Sequence, residues 1–298
     1  MNLKFTITEI RSTEFGVGTL DRGSEPTFTV VPVDRDVKAA LREMLADTWG
    51  EMTALTSKPA HYEASEKYGS VEYVYLEIDD PIASTLEDIH LAVNLDSDSS
   101  ALNDTGDMFC YFARFVDKKG RKLTALRRAG QFKGILGKRL ISILDDTLKL
   151  VQDRVFKLDS DFDLLIDESD IHVLRPSGLE SLGGLQAAIL ASVKKNVASL
   201  KANLAFISFD EIASYAAVHP RAARYLSSIR SQSKGVDRKA LQQLCTSNGV
   251  DCKFTKGQLH VQPGYELAFL EVLDRRRYEI DLVTGAPERF RAPSRQRV

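Results

Sequence analysis

The residues best suited to metal-assisted chemistry are acids near the middle of the chain. Asp163, Asp167 and Glu168 lie within and just after a short apolar run, and carboxylates at strand ends can hold Mg²⁺ beside a phosphate. A magnesium-dependent nuclease is therefore the enzyme class that the sequence allows. No Glu-x-Lys follows these acids on the next predicted strand, so we expect a protein without catalytic residues.

The other motifs for metal or nucleotide binding are incomplete. Residues 159–163 start like a calcium loop, but Leu164 stands where that loop needs glycine. Gly137-Lys138 lacks the first glycine of a phosphate-binding loop, and Gly16-Val17-Gly18 lacks the third glycine of a dinucleotide site. The 5 histidines have no metal-ligand spacing, and the 3 cysteines form no C-x-x-C pair. We therefore predict neither a metal nor a cofactor.

Basic residues form three clusters that suit phosphate binding. Lysine and arginine at this density can neutralise phosphates and release counterions, which is the part of DNA affinity that does not depend on sequence. The same residues could instead complement a helix dipole or keep a hairpin soluble. The predicted nucleic-acid-binding residues are Lys118, Lys119, Arg121, Lys122, Arg127, Arg128, Arg275, Arg276, Arg277, Arg289 and Arg291. The clusters continue at Lys133, Lys138, Arg139, Arg295 and Arg297.

Residues 209–231 have the proportions of a helix-turn-helix. The pattern predicts two short helices around a turn at Val218-His219-Pro220, with Arg221, Arg224 and Ser228 on the outer face of the second helix. Two amphipathic helices of an ordinary core would show the same pattern.

Charge and composition restrict the class of protein. The net charge is −2, but residues 211–298 carry 15 basic and 9 acidic side chains, so the C-terminal end is the basic one. Such asymmetry can steer an anionic partner. The first residues lack the pattern of a signal peptide, and no apolar run is long enough to span a membrane. With no disulfide framework, we expect a cytoplasmic protein.

The first part of the chain has the pattern of strands around one helix. Apolar residues from Val37 to Met52 recur at helical spacing, whereas residues 27–31, 71–78 and 108–116 are β-branched or aromatic. The turn at residues 117–120 predicts a hairpin with the run that follows it. Residues 154–158, 162–167 and 171–174 predict an antiparallel meander.

The second part of the chain is predicted to be mainly helical. Residues 185–200 form one apolar stripe, shorter helices follow up to residue 248, and a small hairpin turns at Lys256-Gly257 before a last helix. Because Arg175-Pro176-Ser177-Gly178 breaks the strand pattern, we predict one lobe at residues 1–175 and another at 176–298. The expected fold class is α+β, with a strand-rich antiparallel N-terminal lobe and a mainly helical, basic C-terminal lobe.

The end of the chain resembles a known family. Residues 273–284, LDRRRYEIDLVT, followed by a short basic tail, resemble the end of KwaB, the cytosolic component of the Kiwa anti-phage defence system. The segments FDLLI at 162–166 and IHVL at 171–174, with the helix after them, are similar to the central domain of that family in order and spacing. The resemblance covers residues 108–298.

This resemblance implies a non-enzymatic anti-phage effector. Proteins of this kind are expected to form homo-oligomers, to bind double-stranded phage DNA without sequence preference, and to hinder phage replication and transcription. They are also expected to work with a small transmembrane partner resembling KwaA, which would recruit them to the inner face of the membrane. A nuclease, and a scaffold that contacts only other proteins, remain the alternatives.

Overall fold

The computed structural model describes residues 3–19, 26–91, 108–129, 141–144, 147–150, 158–280 and 288–292. The basic residues Lys133, Lys138, Arg139, Arg295 and Arg297 lie outside these ranges. The chain forms two compact units, one of Met1–Tyr62 with Tyr68–Leu185 and one of Glu63–Lys67 with Gln186–Val298. The first is rich in strands and the second in helices, which confirms the α+β class.

A large mixed sheet organises the first unit. Its strands run in the order β2-β1-β5-β6-β9-β10-β4-β3, and every neighbouring pair is antiparallel except β3 and β4. A separate antiparallel pair is made by β7 and β8. The strands are β1 Ile10–Thr19, β2 Thr27–Val31, β3 Ala60–His61, β4 Val74–Glu77, β5 Met108–Asp117, β6 Lys122–Arg128, β7 Ile141–Leu144, β8 Thr147–Leu150, β9 Leu164–Ile166 and β10 Asp170–Val173.

The longest helix of this unit follows the predicted apolar stripe. Helix α1, Arg35–Leu55, begins at Asp34, whose carboxylate accepts a hydrogen bond of 2.8 Å from the Val37 N–H. Its buried face packs with the aromatic and aliphatic residues of β1, β5 and β6 in one core. The described part of this unit also contains two shorter helices, α2 at Ser84–Leu91 and α3 at Pro176–Leu182, and short 3₁₀ turns at Ile7–Glu9 and Pro81–Ala83.

The glycines of strand β1 have a packing role. Gly16 pairs with Phe112 on the neighbouring strand, and a β-carbon at Gly16 would stand 2.2 Å from the end of the Phe112 ring. The ring therefore covers the glycine backbone directly. This contact explains a G-x-G sequence on a strand that lacks the rest of a dinucleotide motif.

Six helices and two small hairpins account for the described secondary structure of the second unit. The predicted stripe at residues 185–200 is buried as expected, but it forms two helices that meet at Ser192, whose hydroxyl donates to the Ile189 carbonyl at 2.6 Å. The elements are α4 Gln186–Ala191, α5 Val193–Asn203, α6 Asp210–Ala216, α7 Pro220–Arg230, α8 Arg238–Ser247, β11 Cys252–Thr255, β12 Gln258–Val261, α9 Glu266–Leu273, β13 Arg277–Ile280 and β14 Glu288–Arg291.

Candidate nucleic-acid interface

The turn of the β5–β6 hairpin is organised by a buried carboxylate. Asp117 accepts hydrogen bonds from the N–H groups of Lys119 and Arg121 at 2.9 and 3.0 Å, and from Arg121 Nε at 2.8 Å. Arg121 also donates to the Thr6 hydroxyl. The charge of Arg121 is therefore matched within the fold, whereas Lys118, Lys119 and Lys122 on the same hairpin are exposed.

Arg127 lies among three carboxylates. Its guanidinium donates to Asp161 at 2.7 Å, to Asp163 at 3.0 Å and to Asp159 at 3.2 Å. The acids that resembled the start of a calcium loop thus surround an arginine. Arg175 shares Asp161, so two guanidinium groups face three carboxylates and the charge of Arg127 is balanced inside the protein. The neighbouring Arg128 is exposed, and its backbone N–H donates to Asp163 at 2.8 Å.

The acids considered for magnesium do not form one group. Burial raises the pKa of Asp163 above its usual value, although Arg127 opposes this effect. Among the described residues, the acids and histidine close enough to share an ion are Asp167, Asp170 and His172, without Asp163 or Glu168. Residues 170 and 172 lie on the same face of a strand, and this alternation is the sequence signal that indicates the trio.

Three consecutive arginines follow the C-terminal end of helix α9. Arg275 has a φ of 57°, and its N–H bonds the Val272 carbonyl while the Arg276 N–H bonds the Glu271 carbonyl. This is a Schellman ending, in which the left-handed position is usually glycine. The turn leaves Arg275 exposed and directs the next two side chains toward buried acids of the same helix.

Two buried carboxylates bind the other arginines of this cluster. Glu271, 1% exposed, accepts from Arg277 Nε at 2.9 Å, from Arg221 Nη2 at 3.3 Å and from Arg291. Asp274 is fully buried and accepts from Arg276 Nε at 2.5 Å. Four guanidinium groups therefore face two carboxylates, which leaves a local surplus of two positive charges.

The exposure of these arginines differs along the cluster. The side chains of Arg221 and Arg291 are 57% and 48% exposed, so one edge of each guanidinium faces solvent. Arg276 is 12% exposed and lies 5.0 Å from the centre of the Tyr225 ring. Arg289 pairs with Glu279 at 3.3 Å on the β13–β14 hairpin and is also largely exposed.

The β13–β14 hairpin also presents an aromatic pair. Tyr278 and Phe290 are opposite each other in the register, and their rings stack with centres 5.6 Å apart and planes 21° apart. Both remain about 40% exposed. Alternation along the strands puts them on the face opposite Arg277 and Arg291. Exposed rings can stack on the bases of single-stranded nucleic acid, but this pair lies on the face away from the arginines and is not evidence for duplex binding.

The prediction that Arg221, Arg224 and Ser228 form a DNA-recognition face on the helix-turn-helix is wrong. Helices α6 and α7 form as expected, but Ser228 is fully buried and donates to Asp274. Arg224 donates to the carbonyls of Ala64 and Glu66 at 3.0 and 2.7 Å. Two of the three residues assigned to a DNA groove therefore hold the second unit together.

A family model described as Kiwa protein KwaB-like matches residues 109–282, which is more than half of the chain. The chain belongs to this family. It is a KwaB-like protein of the Kiwa anti-phage defence system. Searches of curated proteins and of solved structures find no match.

The matched range of the KwaB-like protein runs from β5 to the end of β13. It includes the β5–β6 lysines, the Arg127 network, the Asp167 turn, the arginines of α7 and those that follow α9, and it stops before Arg289 and Arg291. Across the parts of the chain that the structure describes, no helix is both long enough and apolar enough to cross a membrane.

Proposed function

We propose that this KwaB-like protein binds double-stranded DNA without sequence preference and thereby hinders phage replication and transcription. The observation that carries the proposal is the arginine cluster around Glu271 and Asp274, where four guanidinium groups face two carboxylates. Duplex DNA offers two phosphate charges for every 3.4 Å or so of its length, and a surface with surplus arginine gains affinity by releasing their counterions.

The structure ranks the arginines for this role. Arg275 is the best candidate because it is exposed and its backbone is held by the end of α9. Arg221, Arg289 and Arg291 keep solvent-facing edges while paired. Arg276 and Arg277 face inward to Asp274 and Glu271, so their contribution to DNA binding is mainly the local surplus of charge.

A second basic surface belongs to the first unit. It consists of the exposed Lys118, Lys119 and Lys122 at the β5–β6 turn, and the exposed Arg128 lies six residues further along β6. Arg121 and Arg127 support this surface through their ion pairs and have little charge left for phosphate. The whole chain is weakly acidic, which favours DNA contact at these two places over contact with the entire surface.

The decisive experiment is a salt titration of duplex binding with a matched pair of variants. Arg275 and Lys256 are both exposed and both have positive φ, at 57° and 52°, so glycine suits the backbone at each position. Arg275→Gly should weaken binding to unrelated duplexes equally and lower the slope of log affinity against log salt by about 0.9 for one lost phosphate contact. Lys256→Gly should change neither quantity.

Two results would count against the proposal. One is wild-type protein whose affinity for duplex DNA does not depend on salt. The other is an equal effect of Arg275→Gly and Lys256→Gly, which would mean that the binding follows overall charge and has no site at the end of α9. Replacing Arg276 or Arg277 by alanine is a poorer test, because each change leaves a buried carboxylate short of a partner and lowers stability as well.

The same proposal includes partners and the lack of catalysis. We propose a homo-oligomer, since several copies of a modest basic surface bind one duplex more tightly than a single copy does. A small transmembrane protein resembling KwaA would hold it at the inner face of the membrane, and binding, without cleavage, would obstruct polymerases. These steps are what the resemblance to KwaB implies, and the family match itself extends to membership of the Kiwa defence system.

A further inference from the structure

The turn between β9 and β10 brings three metal-binding groups together. The Asp167 N–H donates to the Asp170 carbonyl at 3.0 Å, which closes the turn across Glu168 and Ser169. One oxygen from each of Asp167 and Asp170, and one nitrogen of His172, lie within 4.8 Å of one another. The ligand atoms of one divalent ion lie about this close together.

His172 has a buried ring nitrogen aimed into this group. The side chain is fully buried, its Nδ1 lies 2.9 Å from the Tyr73 hydroxyl, and its Nε2 makes no hydrogen bond. The nearest acidic oxygen, Asp167 Oδ2, is 3.6 Å from Nε2. That distance is longer than the range of roughly 2.7–3.2 Å for hydrogen bonds to oxygen.

The same distance suits two ligands of one ion. Two ligand atoms that each lie about 2.1 Å from an ion stand roughly 3.4 Å apart at a tetrahedral angle. The observed 3.6 Å between Nε2 and Oδ2 therefore requires almost no movement of either side chain. Nearly all buried polar atoms in proteins have a partner, and an ion here would supply one to Nε2, while Oδ2 also accepts from the Lys4 N–H at 3.4 Å.

Neighbouring groups already orient the ligands. Asp167 Oδ1 accepts from the N–H groups of Ser169 and Asp170 at 2.9 and 3.0 Å, which turns Oδ2 toward His172. When Tyr73 accepts from Nδ1–H, Nε2 carries a lone pair, and an outer partner of this kind is usual for a metal-binding histidine. Trp49 packs edge-on with its ring centre 5.4 Å from that of His172.

We propose that Asp167, Asp170 and His172 bind a divalent transition-metal ion, of which Zn²⁺ is the best match. Imidazole suits zinc and its neighbours, while Mg²⁺ and Ca²⁺ prefer oxygen ligands alone. Two carboxylates balance the charge of the ion. Asp170 is partly exposed, so a water molecule can complete the coordination from that side. The site is independent of the proposed DNA surface.

The test uses the full chain, stripped with a chelator and dialysed, and Co²⁺ as a spectroscopic probe for a zinc site. We expect one Co²⁺ per chain with the visible absorption of nitrogen and oxygen ligands, displaced by Zn²⁺ and not by equal Mg²⁺. Charge-transfer absorption from thiolate would show instead that the cysteines bind the ion, and would overturn the proposal.

Two variants in the same turn make the test specific. Asp170→Asn removes a partly exposed ligand and should weaken Co²⁺ binding at least tenfold, as expected for a lost ligand. Glu168→Gln removes the same charge from an exposed residue outside the trio and should leave binding unchanged. The proposal fails if wild type binds no Co²⁺, or if both variants bind it like wild type. His172 Nε2 would then be a protonated partner of Asp167.

Discussion

Arg127 offers a sharp test of whether a basic residue serves the fold or the DNA. Its side chain is 17% exposed and contacts three carboxylates, of which Asp163 is 2% exposed. Arg127→Met keeps the apolar stem and removes the charge. Removing one partner of a buried ion pair costs about 3–5 kcal/mol. Arg175 still pairs with Asp161, and the Arg128 N–H still bonds Asp163, so we expect the lower end, about 3 kcal/mol.

The loss of folding stability caused by Arg127→Met should depend on pH in a defined direction. The pKa of Asp163 is already raised by burial, and the loss of Arg127 removes the strongest attraction that opposes this shift. A carboxyl group whose pKa is higher in the folded state stabilises the fold at low pH and loses that contribution as the pH rises through the folded pKa. The deficit of Arg127→Met should therefore be largest near neutral pH and shrink as the pH falls through the raised pKa of Asp163.

Thermal unfolding followed by circular dichroism measures both effects. A loss of about 3 kcal/mol corresponds to a fall in Tm of roughly 6–12 °C for a unit of this size. Arg128→Met is the control, because this residue is exposed and its backbone bond to Asp163 survives, and its Tm should stay close to wild type. If Arg127→Met instead melts like wild type and lowers the salt slope of DNA binding, the reasoning is refuted and Arg127 contacts phosphate.

Three further predictions use other parts of the chain. Gly16→Ala should lower the Tm, because its β-carbon would stand 2.2 Å from the Phe112 ring, whereas Gly50→Ala on the exposed side of α1 meets nothing within 4 Å and should stabilise by about 1 kcal/mol. Purified protein should leave plasmid and linear phage DNA intact with Mg²⁺ or Mn²⁺; chelator-sensitive nicking that Asp163→Ala or Glu168→Ala removes would put the nuclease alternative first. Cell fractionation should find the chain in the soluble fraction when it is expressed alone and with the membrane when a KwaA-like partner is present, so a membrane pellet without that partner would contradict the recruitment scheme.

The sequence pattern predicted those helices and hairpins that are specified by residues close together in the chain. The apolar spacing from Val37 to Met52 specifies α1, and the turn at residues 117–120 specifies the β5–β6 hairpin. Helical spacing could not show that the stripe at 185–200 breaks at Ser192, where the side-chain hydroxyl donates to the Ile189 carbonyl. The β13–β14 hairpin was missed as well, although Tyr278 and Ile280 alternate with charged residues as a strand requires.

The candidate sites depend on contacts between distant residues. Arg221 and Arg291 are 50 and 20 residues from Glu271, so the sequence showed a basic cluster without showing the acid at its centre. For the same reason, Asp159, Asp161 and Asp163 looked like a calcium loop until Arg127 was seen between them. Residue type and spacing predict which groups are available, while their partners are fixed only by the fold.

The return of β14 toward helix α9 makes the end of that helix depend on the C-terminal strand. The Ala292 N–H bonds the Arg276 carbonyl at 2.8 Å, and Arg291 reaches the buried Glu271. A chain truncated before β14 would lack one of the three arginines that bind that acid. The end of α9 would then unfold before the rest of the second unit, and faster amide hydrogen exchange there would be its first sign.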